Sequence, residues 1–79
     1  MSNVTIYATD WCPYCAALLR GLKGQEFDLI DVDRDEEAGE WVKSVNNGNR
    51  VVPTVLYSDG THATNPPAAE VIAKLEALA

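Results

Sequence analysis

Positive charge is scarce in this chain. Lysine and arginine together number six against twelve acids, and the formal net charge is −6. Binding to a phosphate backbone is driven by Lys and Arg displacing counterions, so this balance argues against a nucleic-acid partner. Long apolar runs are missing too. The start, Met1-Ser2-Asn3-Val4, has neither a basic n-region nor an apolar h-region, and no run approaches the length of a membrane span. A cytoplasmic protein that meets no membrane is therefore expected. There are only two cysteines and one histidine. Zinc needs about four ligands, so these residues do not support a closed site within one chain. Nor can two cysteines build the disulfide framework of a small secreted scaffold, and a loop closed between Cys12 and Cys15 restrains little unfolded chain. Their value must be chemical. Internal repeats, low-complexity tracts, linkers and a dinucleotide-binding glycine motif are all missing.

What remains is an ordinary soluble composition, 47% hydrophobic and 23% charged, in 79 residues. That length predicts one domain, residues 1–79, near the size where a single core only just outweighs chain entropy. Val4 to Ala8 reads as a strand, rich in β-branched and aromatic residues and stopping at Thr9-Asp10. Pro13 suits the first turn of a following helix, with Leu18, Leu19 and Leu22 on one face and Gly24 at its end. Gly21 should weaken that helix by roughly 1 kcal/mol relative to Ala. Phe27 to Val32 predicts a second strand, laid parallel to the first through the helix.

Ala38, Trp41, Val42 and Val45 recur at the spacing of an amphipathic helix, which Asn46-Asn47-Gly48-Asn49 ends. Thr54 to Tyr57 and Thr61 to Thr64 flank Ser58-Asp59-Gly60, whose Asp-Gly pair signals an antiparallel hairpin because both residues tolerate positive φ. A last helix starts near Pro67 and buries Val71, Ile72, Leu75 and Leu78. The predicted class is α/β, in the order β-α-β-α-β-β-α.

Cys12-Pro13-Tyr14-Cys15 falls where a strand ends and a helix begins, so orphan backbone N–H groups and the positive end of the helix dipole face the first cysteine. A thiolate is stabilised there, although Asp10 and the overall negative charge oppose the effect. Cys12 is thus the candidate nucleophile, and Cys15, one turn inside, can only resolve. A pair of merely buried cysteines would not need this spacing at this turn. An iron–sulfur cluster completed by thiols from a second chain or a small molecule stays open as a non-enzymatic alternative.

Trp11-Cys12-Pro13-Tyr14-Cys15 resembles the active-site string of dithiol glutaredoxins, and the element order is that of the minimal thioredoxin fold, a four-stranded mixed sheet flanked by three helices. Val51-Val52-Pro53-Thr54 is similar to the family's Thr-Val-Pro segment. That resemblance implies a cis Pro53 facing the cysteines, with the Val52 backbone N–H and C=O left free to pair with a substrate as a short strand. Asn47-Gly48-Asn49-Arg50, Val52-Pro53-Thr54-Val55, Asp59-Gly60 and Thr64-Asn65-Pro66 resemble the mycoredoxins, actinobacterial relatives of the glutaredoxins. Their low-molecular-weight thiol is mycothiol, an N-acetylcysteine joined to a glucosaminyl-inositol. Ordinary glutaredoxins carry a Gly-Gly-x-Asp-like turn before the last helix, which grips the charged end of glutathione. Here Ala63-Thr64-Asn65-Pro66 stands instead, and Thr64 and Asn65 are expected to meet an uncharged sugar thiol.

The resemblance implies a monothiol cycle in which Cys12 takes mycothiol from a mycothiolated protein and a second mycothiol releases the enzyme. It implies no bound cofactor. Mycothiol is then a co-substrate, NADPH enters through a separate flavoprotein reductase, and the enzyme works as a monomer. The competing reading is a dithiol redoxin that carries electrons from thioredoxin reductase to ribonucleotide reductase, although the Trp-Ser-Gly-Phe-Arg-Pro-Asp stretch usual in such redoxins is missing.

Trp11 is expected to wall the thiol groove, Pro13 and Tyr14 to meet substrate, and Trp41 to be core. Asp31, Asp33, Asp35, Glu36 and Glu37 read as acids favouring a helix start rather than as a cation site. Asn49 and Arg50 read as solvated loop residues, and His62 is assigned no role.

Overall fold

A computed structural model describes residues 2–79; Met1, part of the stretch read as carrying no leader, lies outside the described residues. The elements follow the expected order: β1 (Val4–Ala8), α1 (Pro13–Gly21), β2 (Asp28–Asp31), α2 (Glu36–Val45), β3 (Thr54–Tyr57), β4 (His62–Thr64) and α3 (Ala68–Leu78). The sheet runs β2-β1-β3-β4. β1 pairs parallel with β2 and antiparallel with β3, and β3 pairs antiparallel with β4. Among the described residues no helix is long and apolar enough to cross a membrane.

Alternation along β1 divides the core between the two faces of the sheet. Val4, Ile6 and Ala8 pack with Leu18, Leu22, Val55, Tyr57 and Val71, which places α1 and α3 on one face. Tyr7 points the other way and meets Val32, Ala38 and Val42 beneath α2. Each aliphatic side chain so buried contributes roughly 1.5–3 kcal/mol. Both cysteines belong to the first cluster, so the reactive pair is built into the core rather than hung on a loop.

Several details depart from the sequence reading, each for a local reason. Helix α1 ends at Gly21, with Leu22 as its cap, and Gly24 lies in the turn beyond at φ 92°. A Cβ at Gly21 would stand 2.4 Å from the Cβ of Ala68. Its helix-propensity cost is therefore offset by the close approach of α3 to α1. In the hairpin only Gly60 takes positive φ, 90°, so the loop is three residues closed by Gly60 N–H to the Tyr57 carbonyl and Tyr57 N–H to the Thr61 carbonyl. The Asp59 carboxylate instead accepts from Thr61 and pairs with Lys74 of α3 at 2.7 Å. Trp41 is half-buried, its ring 4.8 Å from that of Tyr7. Ile72, Leu75 and Leu78 are only partly buried, leaving Val71 as the fully buried anchor of α3.

Candidate active site

Cys12 is the N-cap of α1, in extended conformation, with Pro13 at the first helical position where a missing N–H costs nothing. Its sulfur accepts the Cys15 N–H at 3.2 Å, one of the orphan donors of the helix start. The same thiol donates to the Val52 carbonyl at 3.7 Å. Val52–Pro53 is a cis peptide bond, and Pro53 is fully buried. The Pro53 carbonyl accepts the Asn65 N–H at 2.7 Å, which ties the turn before α3 to the segment facing the thiol. Among the described residues the Val52 N–H has no partner, whereas its carbonyl is taken by the thiol, so the expected pair of free backbone groups is half occupied in this state.

The two cysteines are unequal. Cys15 is 1% exposed, and burial, reinforced by its hydrogen bond with the Cys12 side chain, pushes its thiol up to about 12. It is a neutral thiol at physiological pH. Cys12 lies at 5% exposure on the outer side of the pair, at the helix end where backbone N–H groups converge.

A groove of about 260 Å³ runs along the outer side of α1. Tyr14, Ala17 and Leu18 form one bank and Asn65, Pro66, Pro67 and Ala68 the other. No lining side chain carries a charge. Asn65 holds φ 47°, a left-handed conformation that Asn tolerates better than most residues. Tyr14 is 66% exposed.

Thr64, expected beside Asn65, does not line this groove. Its hydroxyl donates to the Asn46 side-chain carbonyl at 2.6 Å, and the Asn46 amide donates to the Val42 carbonyl and the Thr54 hydroxyl. Thr54 in turn donates to the Val51 carbonyl at 2.7 Å. Thr64 therefore belongs to a chain of hydrogen bonds that fastens β4 and the end of α2 to the segment before Pro53.

On the opposite flank Trp11 is 69% exposed, and its indole N–H donates to Asp33 at 2.8 Å. The other oxygen of that carboxylate pairs with Arg50. These two donors, Trp11 first, hold the Asp33 carboxyl below the usual carboxylate range. The sequence pattern groups Asp33 with the helix-start acids and leaves Arg50 in solvent. In fact Asp35 caps α2 by accepting the Ala38 N–H at 3.0 Å, while Asp33 faces the two loops beside the thiols. No local pattern marks a contact across 22 and 17 residues. A second hollow, about 170 Å³, lies between α1 and β2; neither cysteine lines it, and neither lines the groove beside Tyr14.

Comparison with known proteins agrees with this geometry. A family model described as glutaredoxin matches residues 4–63. Mycoredoxin 1 from Corynebacterium glutamicum is 86% identical over 79 residues, covering 100% of both chains. Among solved structures, the glutaredoxin-like protein NrdH-redoxin from Escherichia coli superposes with TM-score 0.72 at 32% identity, covering 91% of this chain and 92% of its own. The solution structure of glutaredoxin from Brucella melitensis gives TM-score 0.70 at 30% identity, covering 99% and 88%.

Proposed function

The chain belongs to the glutaredoxin family, on its mycoredoxin branch, and is a thiol–disulfide oxidoreductase; from that premise we propose that it reduces mixed disulfides between proteins and mycothiol by a monothiol cycle. The Cys12 thiolate attacks the mycothiol sulfur of the mixed disulfide. A Cys12–mycothiol disulfide forms, the protein sulfur leaves as a thiolate and takes a proton. A second mycothiol thiolate then attacks the sulfur carried on Cys12, giving oxidised mycothiol and the free enzyme. The second mycothiol thiolate returns the electron pair that the Cys12 thiolate spends in the first step, and NADPH, through a separate flavoprotein reductase, reduces the oxidised mycothiol back to two thiols. Cys15, buried and protonated, is not needed in either step. The expected setting is the cytoplasm, with mycothiolated proteins as clients.

The observation that carries the choice of thiol is the neutrality of the groove between Tyr14 and Asn65. Glutathione brings an α-ammonium and two carboxylates, and half-burying such charges without partners is costly. Mycothiol brings hydroxyls, which Asn65, the Val52 N–H and water can meet at about 1 kcal/mol for each good hydrogen bond. The name of the relative from C. glutamicum supports the same choice. The test is turnover of the Cys15→Ser enzyme with mycothiol and glutathione supplied in turn. A rate with mycothiol roughly a hundredfold higher is expected; equal rates would leave an ordinary glutaredoxin.

A dithiol cycle is the second reading. The direct contact between the cysteines favours it, as does the likeness to NrdH-redoxin, which has a thioredoxin-like activity profile. Sustained turnover with thioredoxin reductase alone would establish it.

A further inference from the structure

We infer that Asp33 is a positioning residue for the thiol exchange: its carboxylate fixes the Trp11 indole as a wall beside Cys12 and couples that wall, through Arg50, to the segment that presents Val52. Trp11 is 69% exposed, so packing does not hold its ring. What holds it is the 2.8 Å hydrogen bond from its single N–H donor to Asp33. The other carboxylate oxygen takes the Arg50 guanidinium. Trp11 immediately precedes the attacking cysteine, and Arg50 stands two residues before Val52. One side chain thus joins the two loops between which a mixed disulfide must lie.

A helix-capping role does not explain this arrangement. Asp33 lies before the N-cap Asp35, and its carboxylate makes its hydrogen bonds with Trp11 and Arg50. Its own loop is prepared for the task, since the Asp33 N–H donates to the Asp31 carboxylate at 2.9 Å. An isolated exposed ion pair is worth little because two long side chains must be ordered for it. Here one short side chain orders two partners at once, and the gain falls on the geometry of the groove rather than on the stability of the fold. The consequence is a wall that is in place before substrate arrives, so less freedom is lost on binding.

This inference rests on the proposed exchange at Cys12, and the experiment separates the two. Steady-state kinetics are measured on a mycothiolated peptide for Asp33→Ala, Asp33→Asn, Trp11→Phe and the Asp33→Ala/Trp11→Phe pair, with alkylation of Cys12 by iodoacetamide as a control for thiol reactivity. Asp33→Ala should raise KM by about fivefold with kcat within about twofold and the alkylation rate unchanged. In the double variant KM should rise by less than the product of the two single effects, because both single variants remove the same contact. In a Trp41→Phe background, acrylamide should quench Trp11 more strongly once Asp33 is Ala. Should that variant fail to fold, Asp33→Asn, which keeps an acceptor for the indole and loses the ion pair, should still raise KM by about twofold. A wild-type KM in both Asp33 variants, or additive effects of Asp33→Ala and Trp11→Phe, would overturn the inference. If the wild-type enzyme prefers glutathionylated peptide, the choice of mycothiol falls while the Asp33 effect is read on that substrate instead.

Discussion

Two unlike walls flank the start of α1, which Cys12 caps. On one side Tyr14, Asn65 and Pro67 make a neutral groove held in place by backbone and packing: the Asn65 N–H to the Pro53 carbonyl, and α3 drawn against α1 at Gly21 and Ala68. On the other side Trp11, Asp33 and Arg50 make a polar clamp held by side-chain contacts alone. The first wall is tied to the core through the turn at Asn65 and offers a ligand nothing ionic. The second is exposed and depends on one carboxylate staying charged. The contrast suggests a division of labour, in which the neutral wall selects the small thiol and the charged one holds the attacked disulfide in line.

The largest effect should come from removing what lies between the walls. Cys12→Ser should abolish turnover, by a factor of about a thousand or more, whereas Cys15→Ser should stay active on mycothiol mixed disulfides because the monothiol cycle needs only the outer sulfur. Stopped-flow reduction of a mixed-disulfide peptide checks both, and equal loss in the two variants would point to the dithiol cycle.

Next in size is the packing behind the neutral wall. Gly21→Ala would favour α1 by propensity, yet it drives a methyl group into Ala68. Destabilisation by about 1–3 kcal/mol is expected, a fall in Tm of several degrees for a domain of this size, together with a raised KM for mycothiol as the α3 bank shifts. A Tm at or above wild type would show that the helices part without cost.

Asn65 sharpens the same wall from within. Asn65→Gly keeps the left-handed turn and removes only the amide, whereas Asn65→Ala also strains the backbone at φ 47°. Both should raise KM for mycothiol by several-fold, and only the second should lower Tm appreciably. By contrast Thr64→Val, which breaks the bond to Asn46, should cost about 1 kcal/mol of stability and move KM less than either Asn65 variant.

The smallest change is a spectroscopic one, at the charged wall. The folded-state pKa of Asp33 is depressed, so its two contacts are intact above the ordinary carboxylate value and are lost only as pH falls through the lower folded value. Trp11 emission, isolated in a Trp41→Phe background, should therefore stay constant from neutral pH down to about pH 4 and change only below it. Asp33→Asn should remove that titration.

The same contrast explains what the sequence revealed. Strands and helices were legible because apolar periodicity reports which face is buried, and the cysteine pair was legible because its position at the strand-to-helix turn carries the chemistry. Pro53 came from family resemblance, and the structure bears out its cis bond. Asn65 reached the groove while its neighbour Thr64 did not, since Thr64 ends β4 and Asn65 lies in the left-handed turn beyond it. Gly21 looked like a defect because its partner, Ala68, is 47 residues away in the chain. Asp33 was concealed in a run of acids whose helix-start role belongs to Asp35. Contacts between loops far apart in sequence leave no periodic trace, and the charged wall consists entirely of such contacts.

The most direct measurement offers the Cys15→Ser enzyme an equimolar mixture of one peptide in its mycothiolated and glutathionylated forms, then weighs the adduct trapped on Cys12 by intact-protein mass spectrometry. If Cys12 is the nucleophile and the neutral groove selects the thiol, the mycothiol adduct should exceed the glutathione adduct by roughly a hundredfold. Comparable amounts of the two adducts, or attachment of the peptide rather than the small thiol, would contradict that claim.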